Sequence, residues 1–205
     1  MTDSNKYYRN QYRIPSTRRP GYDYGTPGYY FVTIITKNRI RLFGDPMRDH
    51  RNRAVVVLSD IGRVAATEWR RTAELRPYVQ LDEWVVMPDH VHGIVVIRNR
   101  GAGESVTNTE TDGDGGANGE TVETHSRASL RDTNTTHIAE FGPQRHNLPS
   151  IIRGFKTAVT TNVRRSIDKS FAWQSRYHDR IIRNRPELER IRRYIRNNPE
   201  QWMGS

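Results

Sequence analysis

The chain has 205 residues, enough for one ordinary domain with a tail or an insertion. It has no cysteine, which excludes disulfides, thiolate zinc sites and cysteine nucleophiles. A formal charge of +10 and a pI near 10.2 fit a protein that meets a polyanion, most often nucleic acid; the plainer reading is a basic chain kept soluble by its charge.

Residues 1–27 are rich in Arg, Tyr, Pro and Gly and lack apolar periodicity. They read as a basic flexible arm, ordered if anywhere around Tyr22-Asp23-Tyr24. The start, MTDSNKYYRNQYR, has no apolar core of a secretory signal. The longest apolar runs, such as Tyr29 to Ile35, are too short to span a bilayer. A cytoplasmic location away from membranes is the expectation.

Tyr29 to Thr36 is aromatic and β-branched on both faces and predicts a buried central strand. Ala54 to Leu58 predicts a second, shorter strand or a lead-in. Ser59 or Asp60 then caps a helix stopped by Pro77, with Ile61, Val64, Ala65, Trp69 and Ala73 as its apolar stripe. Glu83 to Met87 and His90 to Ile97 predict a strand pair or one bent strand, with a turn or bulge at Pro88.

Residues 99–147 are rich in Gly, Thr, Glu and Asp and have little to bury, the composition of a disordered insertion. The segment holds eight acidic and four basic side chains, so it carries −4 and the remaining 156 residues carry +14. Positive charge is concentrated in the part that can fold.

Beyond it, Asn147 or Ser150 opens a helix whose Ile152, Phe155, Val159 and Val163 share one face. Phe171 to Tyr177 alternates and predicts a strand. Asn184-Arg-Pro-Glu187 opens a last helix holding Leu188, Ile191 and Ile195, with Pro199 expected to end it. The order β-α-β-β-α-β-α predicts an α+β fold: a ferredoxin-like antiparallel sheet with helices on one face, plus a C-terminal helix.

Three groups of residues carry chemistry. His90 and His92 project from one face of a strand, with Val91 toward the core. They are either half of a divalent-metal site or two unrelated surface histidines. Tyr194 and Asn198, four apart on a helix, are neighbours about 5–6 Å apart, on the side away from Ile191 and Ile195. Tyr194 is either a nucleophile or a packing residue; Asn198 is either a hard oxygen ligand or a helix cap before Pro199. Arg176, Arg180, Arg183, Arg185, Arg190, Arg192, Arg193 and Arg196 crowd the C-terminal segment among Trp173, Tyr177 and Trp202. Forked guanidinium donors suit phosphates and aromatic rings suit unpaired bases; a solvated basic face is the plainer alternative.

The residues together resemble a known family. Tyr22-Asp-Tyr24, Pro27-Gly28-Tyr29-Tyr30-Phe31-Val32-Thr33 and Leu42-Phe43-Gly44 are similar to the start of the single-tyrosine HUH transposases, and more narrowly of the REP-associated tyrosine transposases. Leu81 to Gly93, with Met87-Pro-Asp-His90-Val91-His92, resembles their histidine–hydrophobe–histidine motif. Leu148 to Thr160 is similar to their second helix. Trp173-Gln174, Tyr177, Ile181 to Asn184, and Tyr194-Ile195 through Asn198-Pro199 to Trp202 resemble their C-terminal block. The likeness covers residues 22–98 and 141–205. Asp89 departs from it, because the family more often has Asn there.

The resemblance implies a transposase domain over residues 28–205, interrupted by the insertion at 99–147. It implies that His90, His92 and Asn198 hold Mg²⁺ or Mn²⁺ and that Tyr194 attacks a phosphate of single-stranded or hairpin DNA. The products would be a 5′-phosphotyrosine and a free 3′-OH. Tyr177 is the second candidate nucleophile. DNA contacts are expected from Arg153, Lys156, Trp173, Arg176, Arg180, Arg183 and Arg193. Both a monomer and a homodimer stay open, as does Tyr194 acting in cis or in trans. Two other classes fit the same residues: a domesticated nucleic-acid-binding protein, and a replication or relaxase-type nicking enzyme.

Overall fold

The computed structural model describes residues 21–98 and 146–204, together with the backbone of two short strands, β1 (Tyr7–Tyr8) and β2 (Gln11–Tyr12). The rest of the 1–27 arm and all but the last two residues of the 99–147 insertion lie outside the described residues. The elements that follow come from both sides of that insertion and belong to one unit.

β3 (Gly28–Ile35) leads through a 3₁₀ turn (Lys37–Arg39) to a hairpin of β4 (Gly44–Arg48) and β5 (Ala54–Leu58). Then come α1 (Asp60–Glu74), β6 (Val79–Met87), β7 (His90–Ile97), α2 (Leu148–Ser166), β8 (His178–Ile182) and α3 (Arg185–Met203). The main sheet has the order β6-β7-β3-β8 with every pair antiparallel. β3 and β6 therefore run the same way with β7 between them, the split βαβ of a ferredoxin-like fold, as expected.

Alternation along the strands sorts the two faces. Tyr30, Val32, Ile34, Val91, Val95 and Ile97 face α1 and α2 and form the larger core with Ala65, Trp69, Phe155, Val159 and Val163. Gly93 lies under this layer. A Cβ there would sit 2.4 Å from Trp69 Cζ2, so only glycine lets the indole close on the sheet. Ile94, Val96 and Ile182 face the other way, under Leu188, Ile191 and Ile195 of α3.

The helix starts follow the capping signals. Ser59 Oγ accepts from Gly62 N, Asn147 forms a capping box with Ser150, and Asn184 accepts from Glu187 N. Tyr22 meets Tyr24 and Tyr30 edge to face, and Leu148 N donates to Tyr24 O at 3.0 Å, so the sequence just before β3 is tied to the start of α2.

One strand was not foreseen, and two local expectations are corrected. β4, with its Pro46 and charged residues, has no strand pattern of its own and exists through pairing with β5. Residues 171–177 are no strand: they are irregular apart from one bridge between Thr36 and Trp173, and the strand beside β3 is His178–Ile182. The aromatic alternation there comes from packing, because Phe171 and Trp173 insert among Phe43 and Phe155. Finally, Pro199 does not end α3, which continues to Met203. Proline gives up one main-chain donor, and both Asn198 and Pro199 are buried at that point. No helix among the described residues is long and apolar enough to cross a membrane.

Candidate active site

His90 and His92 stand at the start of β7, a strand buried along its whole length between β6 and β3. Their alternation places both on the α3 face, with ring centroids 4.3 Å apart. Each imidazole has one nitrogen fixed by the protein. His90 Nδ1 is bonded to Asp89 Oδ1 in the Pro88-Asp89 turn. His92 Nδ1 meets Thr33 Oγ1 at 2.9 Å across the β3–β7 pair.

The Asp89 turn is itself held tightly. Pro88 O accepts from Leu42 N and Phe43 N, Asp89 O accepts from Thr36 N, and Arg39 Nη1 reaches Asp89 Oδ2 at 3.3 Å. Arg39 takes a left-handed backbone, φ 54°, to sit there. Asp89 is 3% exposed.

The remaining nitrogens face the interior of the site. His90 Nε2 is buried and has no hydrogen-bond partner. His92 Nε2 lies 3.3 Å from the Tyr194 hydroxyl. Burial is the main force lowering both histidine pKa values, that of His92 to about 3, with the neighbouring His90 adding to the effect. Both rings are therefore neutral at physiological pH, the form that donates a lone pair to a metal.

Asn198 is 6% exposed and lines the same cavity of about 250 Å³, together with Thr33, Arg39, His90, His92, Tyr194, Gln201 and Trp202. Among the described residues no group of three or more His, Cys, Asp or Glu side chains could share an ion. The neutral amides that line the cavity are those of Asn198 and Gln201, and Asn198 is the buried one. An unpartnered buried imidazole nitrogen next to a second imidazole and a buried amide fits a small divalent cation.

Tyr194 does not lie opposite Ile191, as the helical reading expected. It borders the buried stripe, with its ring against His92 at 5.3 Å and Phe31 at 6.1 Å and the residue 40% exposed. Burial of Leu188, Ile191 and Ile195 holds α3 on the sheet, roughly 1.5–3 kcal/mol each. Ion pairs add orientation. A β-bulge between Leu81 and Trp84 offers Asp82 to Arg192 Nε at 2.8 Å and Glu83 to Arg196 Nη1 at 2.9 Å. The Arg192 guanidinium holds the Asp82 carboxyl below its usual range. Arg48 reaches Glu200 at 2.6 Å and ties the β4–β5 hairpin to the far end of α3. Partly exposed pairs are worth about 0–1 kcal/mol each, so the apolar stripe dominates the docking.

The residues expected to touch DNA are scattered. Arg153 is exposed on α2, across the sheet from the histidines. Lys156 is also on α2; its Nζ donates to Gln174 O at 2.6 Å, and burial lowers its pKa. Trp173 is half-buried and packs against the core, with its Nε1 donating to Lys156 O at 3.2 Å. Tyr177 packs against the α1 and α2 side of the core, away from His92. Arg176 is exposed in the loop before β8. Arg180 on β8, Arg183 just after it and Arg193 on α3 are exposed, and Arg180 lines a groove together with Tyr194. Sequence reasoning missed Thr33, Arg39 and Gln201, and read Asp89 only as a departure from the family resemblance. Thr33 could have been found by placing β3 beside the histidine strand, whereas Gln201 was hidden by ending the helix at Pro199.

No family model matches the chain. Its fold is similar to that of a solved REP-associated tyrosine transposase bound to a REP hairpin, with a TM-score of 0.52 and 17% identity over 92% of this chain and 74% of that one. At that identity the likeness is one of fold. An uncharacterized protein of Haemophilus influenzae strain Rd is 30% identical over 197 residues, 96% of this chain and 94% of its own. The chain therefore belongs to the same family as that Haemophilus influenzae protein, on an α+β fold shared with a REP-associated tyrosine transposase.

Proposed function

We propose that the chain is a metal-dependent single-tyrosine transposase that cuts and rejoins single-stranded DNA. One observation carries the reading: the hydroxyl of a half-exposed tyrosine stands 3.3 Å from a buried neutral imidazole, in a cavity it shares with a second imidazole and a buried amide. His90, His92 and Asn198 would hold Mg²⁺ or Mn²⁺, which when bound supplies Lewis-acid polarisation of a DNA phosphate.

The chain's own residues do the rest. Tyr194 Oη forms a bond to phosphorus as the P–O3′ bond breaks. The phenol proton leaves through the open side of the site, and the departing 3′-oxygen takes a proton from water. The 5′ end stays on Tyr194 as a phosphotyrosine, so a later 3′-OH can reverse the step and join new ends. Asp89 and Thr33 fix the outer nitrogens and so turn both Nε2 atoms inward. Tyr194 reaches His92 of its own chain at 3.3 Å, which supports a tyrosine acting in cis. The hairpin bound by the structural relative supports hairpin DNA as the partner here as well.

The reading is tested with hairpin oligonucleotides carrying labelled single-stranded flanks. It predicts a cut in Mg²⁺ or Mn²⁺, none in EDTA, and transfer of the cut end to a second oligonucleotide. Tight binding with no cut on any palindromic substrate would favour a binding protein. Cutting without transfer would favour a nickase.

A further inference from the structure

A second groove starts on the other side of Tyr194. Its first part, about 310 Å³, is lined by Phe31, Arg180, Arg190, Ile191 and Tyr194. Phe31 and Arg180 are direct cross-strand partners on the α3 face of the sheet. Arg190 and Tyr194 lie one turn apart on α3. Phe31 and Ile191 make an apolar floor, and the two arginines make the walls.

The groove continues into a cleft of about 730 Å³ between β8 and the start of α3, again lined by Arg180 and Arg190 and extended by Arg183 and Asn184. Glu187 lies at its base, 11% exposed, and accepts from Arg180 Nε at 2.6 Å. The guanidiniums remain open to solvent, with Arg180 61% and Arg190 67% exposed. Glu187, Arg190, Tyr194, Asn198 and Gln201 recur at helical spacing, so groove, tyrosine and metal cavity lie along one stripe of α3.

We infer that this groove holds the unpaired nucleotides on one side of the phosphate that Tyr194 attacks. An apolar floor between two exposed guanidiniums suits a base edge to edge with its flanking phosphates, and Arg planes also stack on bases. From Glu187 to Tyr194 the helix rises about 10 Å, the reach of two or three nucleotides. This rests on the transposase reading. It also moves the DNA track away from Arg153, Lys156 and Trp173, which lie on the other face of the sheet.

The test uses the full chain in EDTA and fluorescein-labelled oligo(dT)₁₂, read by anisotropy over a range of salt. Arg180→Ala with Arg190→Ala should weaken binding tenfold or more and lower the salt slope by about 1.4, at about 0.7 per lost phosphate contact. Arg63→Ala with Arg165→Ala, on α1 and α2, should stay within twofold of wild type. Because loss of the Arg180–Glu187 pair could loosen β8, wild-type protein is also cross-linked to a 5-iodouracil oligonucleotide. The adducts should fall on Gly28–Ile35 or Arg185–Met203. Unchanged affinity in the first pair of substitutions, or adducts confined to α1 and α2, would overturn the groove alone. Failure of wild type to bind any oligonucleotide would overturn the transposase reading along with it.

Discussion

Asp89 Oδ1 accepts the hydrogen bond of His90 Nδ1, its neighbour in sequence, while its other oxygen faces Arg39. The family resemblance leads one to expect Asn at this position, and the substitution looks minor in sequence. In the structure the carboxylate sets the His90 tautomer and aims Nε2 into the cavity. Removing such an outer partner commonly costs 10–100-fold in metal affinity. Asp89→Ala should lose about that much Mn²⁺ affinity by titration calorimetry, and Asp89→Asn, which keeps an acceptor, should lose less. Equal affinity in Asp89→Ala and wild type would remove Asp89 from the site.

Metal binding should be visible without DNA. An ion that binds only the folded chain adds about 2.7 kcal/mol at a hundredfold excess over Kd, or roughly 5–10 °C in Tm for a domain of this size. Adding Mn²⁺ to EDTA-stripped protein should raise Tm in wild type. His90→Ala and His92→Ala should show little rise and no cleavage, yet keep most single-stranded DNA binding, which arginines supply. Wild-type cleavage rates in either variant would refute the metal assignment.

The buried histidines also set a pH dependence. Their folded pKa values are depressed, so below pH 6.5 the unfolded chain takes up protons that the folded chain refuses. Stability is complete above 6.5 and falls as pH drops, for His92 until about pH 3. Between pH 7 and 5 one such histidine accounts for up to about 2 kcal/mol. Urea unfolding of metal-free wild type should show that drop, and a folded His92→Gln should show less of it. Parallel pH profiles would mean that His92 is not held neutral.

Residues 101–138 should be expendable. Their composition cannot supply a core, and the described chain closes behind them: Arg98 N donates to Tyr78 O at 2.8 Å, and the Tyr78 ring meets His146 at 5.0 Å. A short Gly/Ser linker should bridge these ends with folding and DNA cleavage intact. Loss of soluble folded protein on replacement would count against it.

Much of this was legible in the sequence because strong periodicity maps directly onto burial. The β3 and β7 runs, the Phe155 face of α2 and the Leu188-Ile191-Ile195 stripe are of that kind. So is the His90–His92 pair, since alternation alone puts both rings on one face. What stayed hidden depends on packing. Phe171 and Trp173 alternate because they fill a core, whereas the true edge strand, His178–Ile182, is half polar. Proline rules stopped α3 at Pro199, and with the last turn went Gln201. The side of α3 that Tyr194 takes is set by the sheet beneath it.

The central claim is that Tyr194 is the nucleophile, and a protein–DNA ester tests it most directly. Wild type, Tyr194→Phe and Tyr177→Phe are incubated with labelled single-stranded hairpin DNA and Mn²⁺ and run on a denaturing gel. A metal-only nuclease activates water and leaves no adduct, whereas a tyrosine enzyme must pass through one. The account predicts a covalent band for wild type and Tyr177→Phe. Tyr194→Phe should bind the hairpin normally but give neither band nor cut. A covalent band that survives in Tyr194→Phe would contradict it.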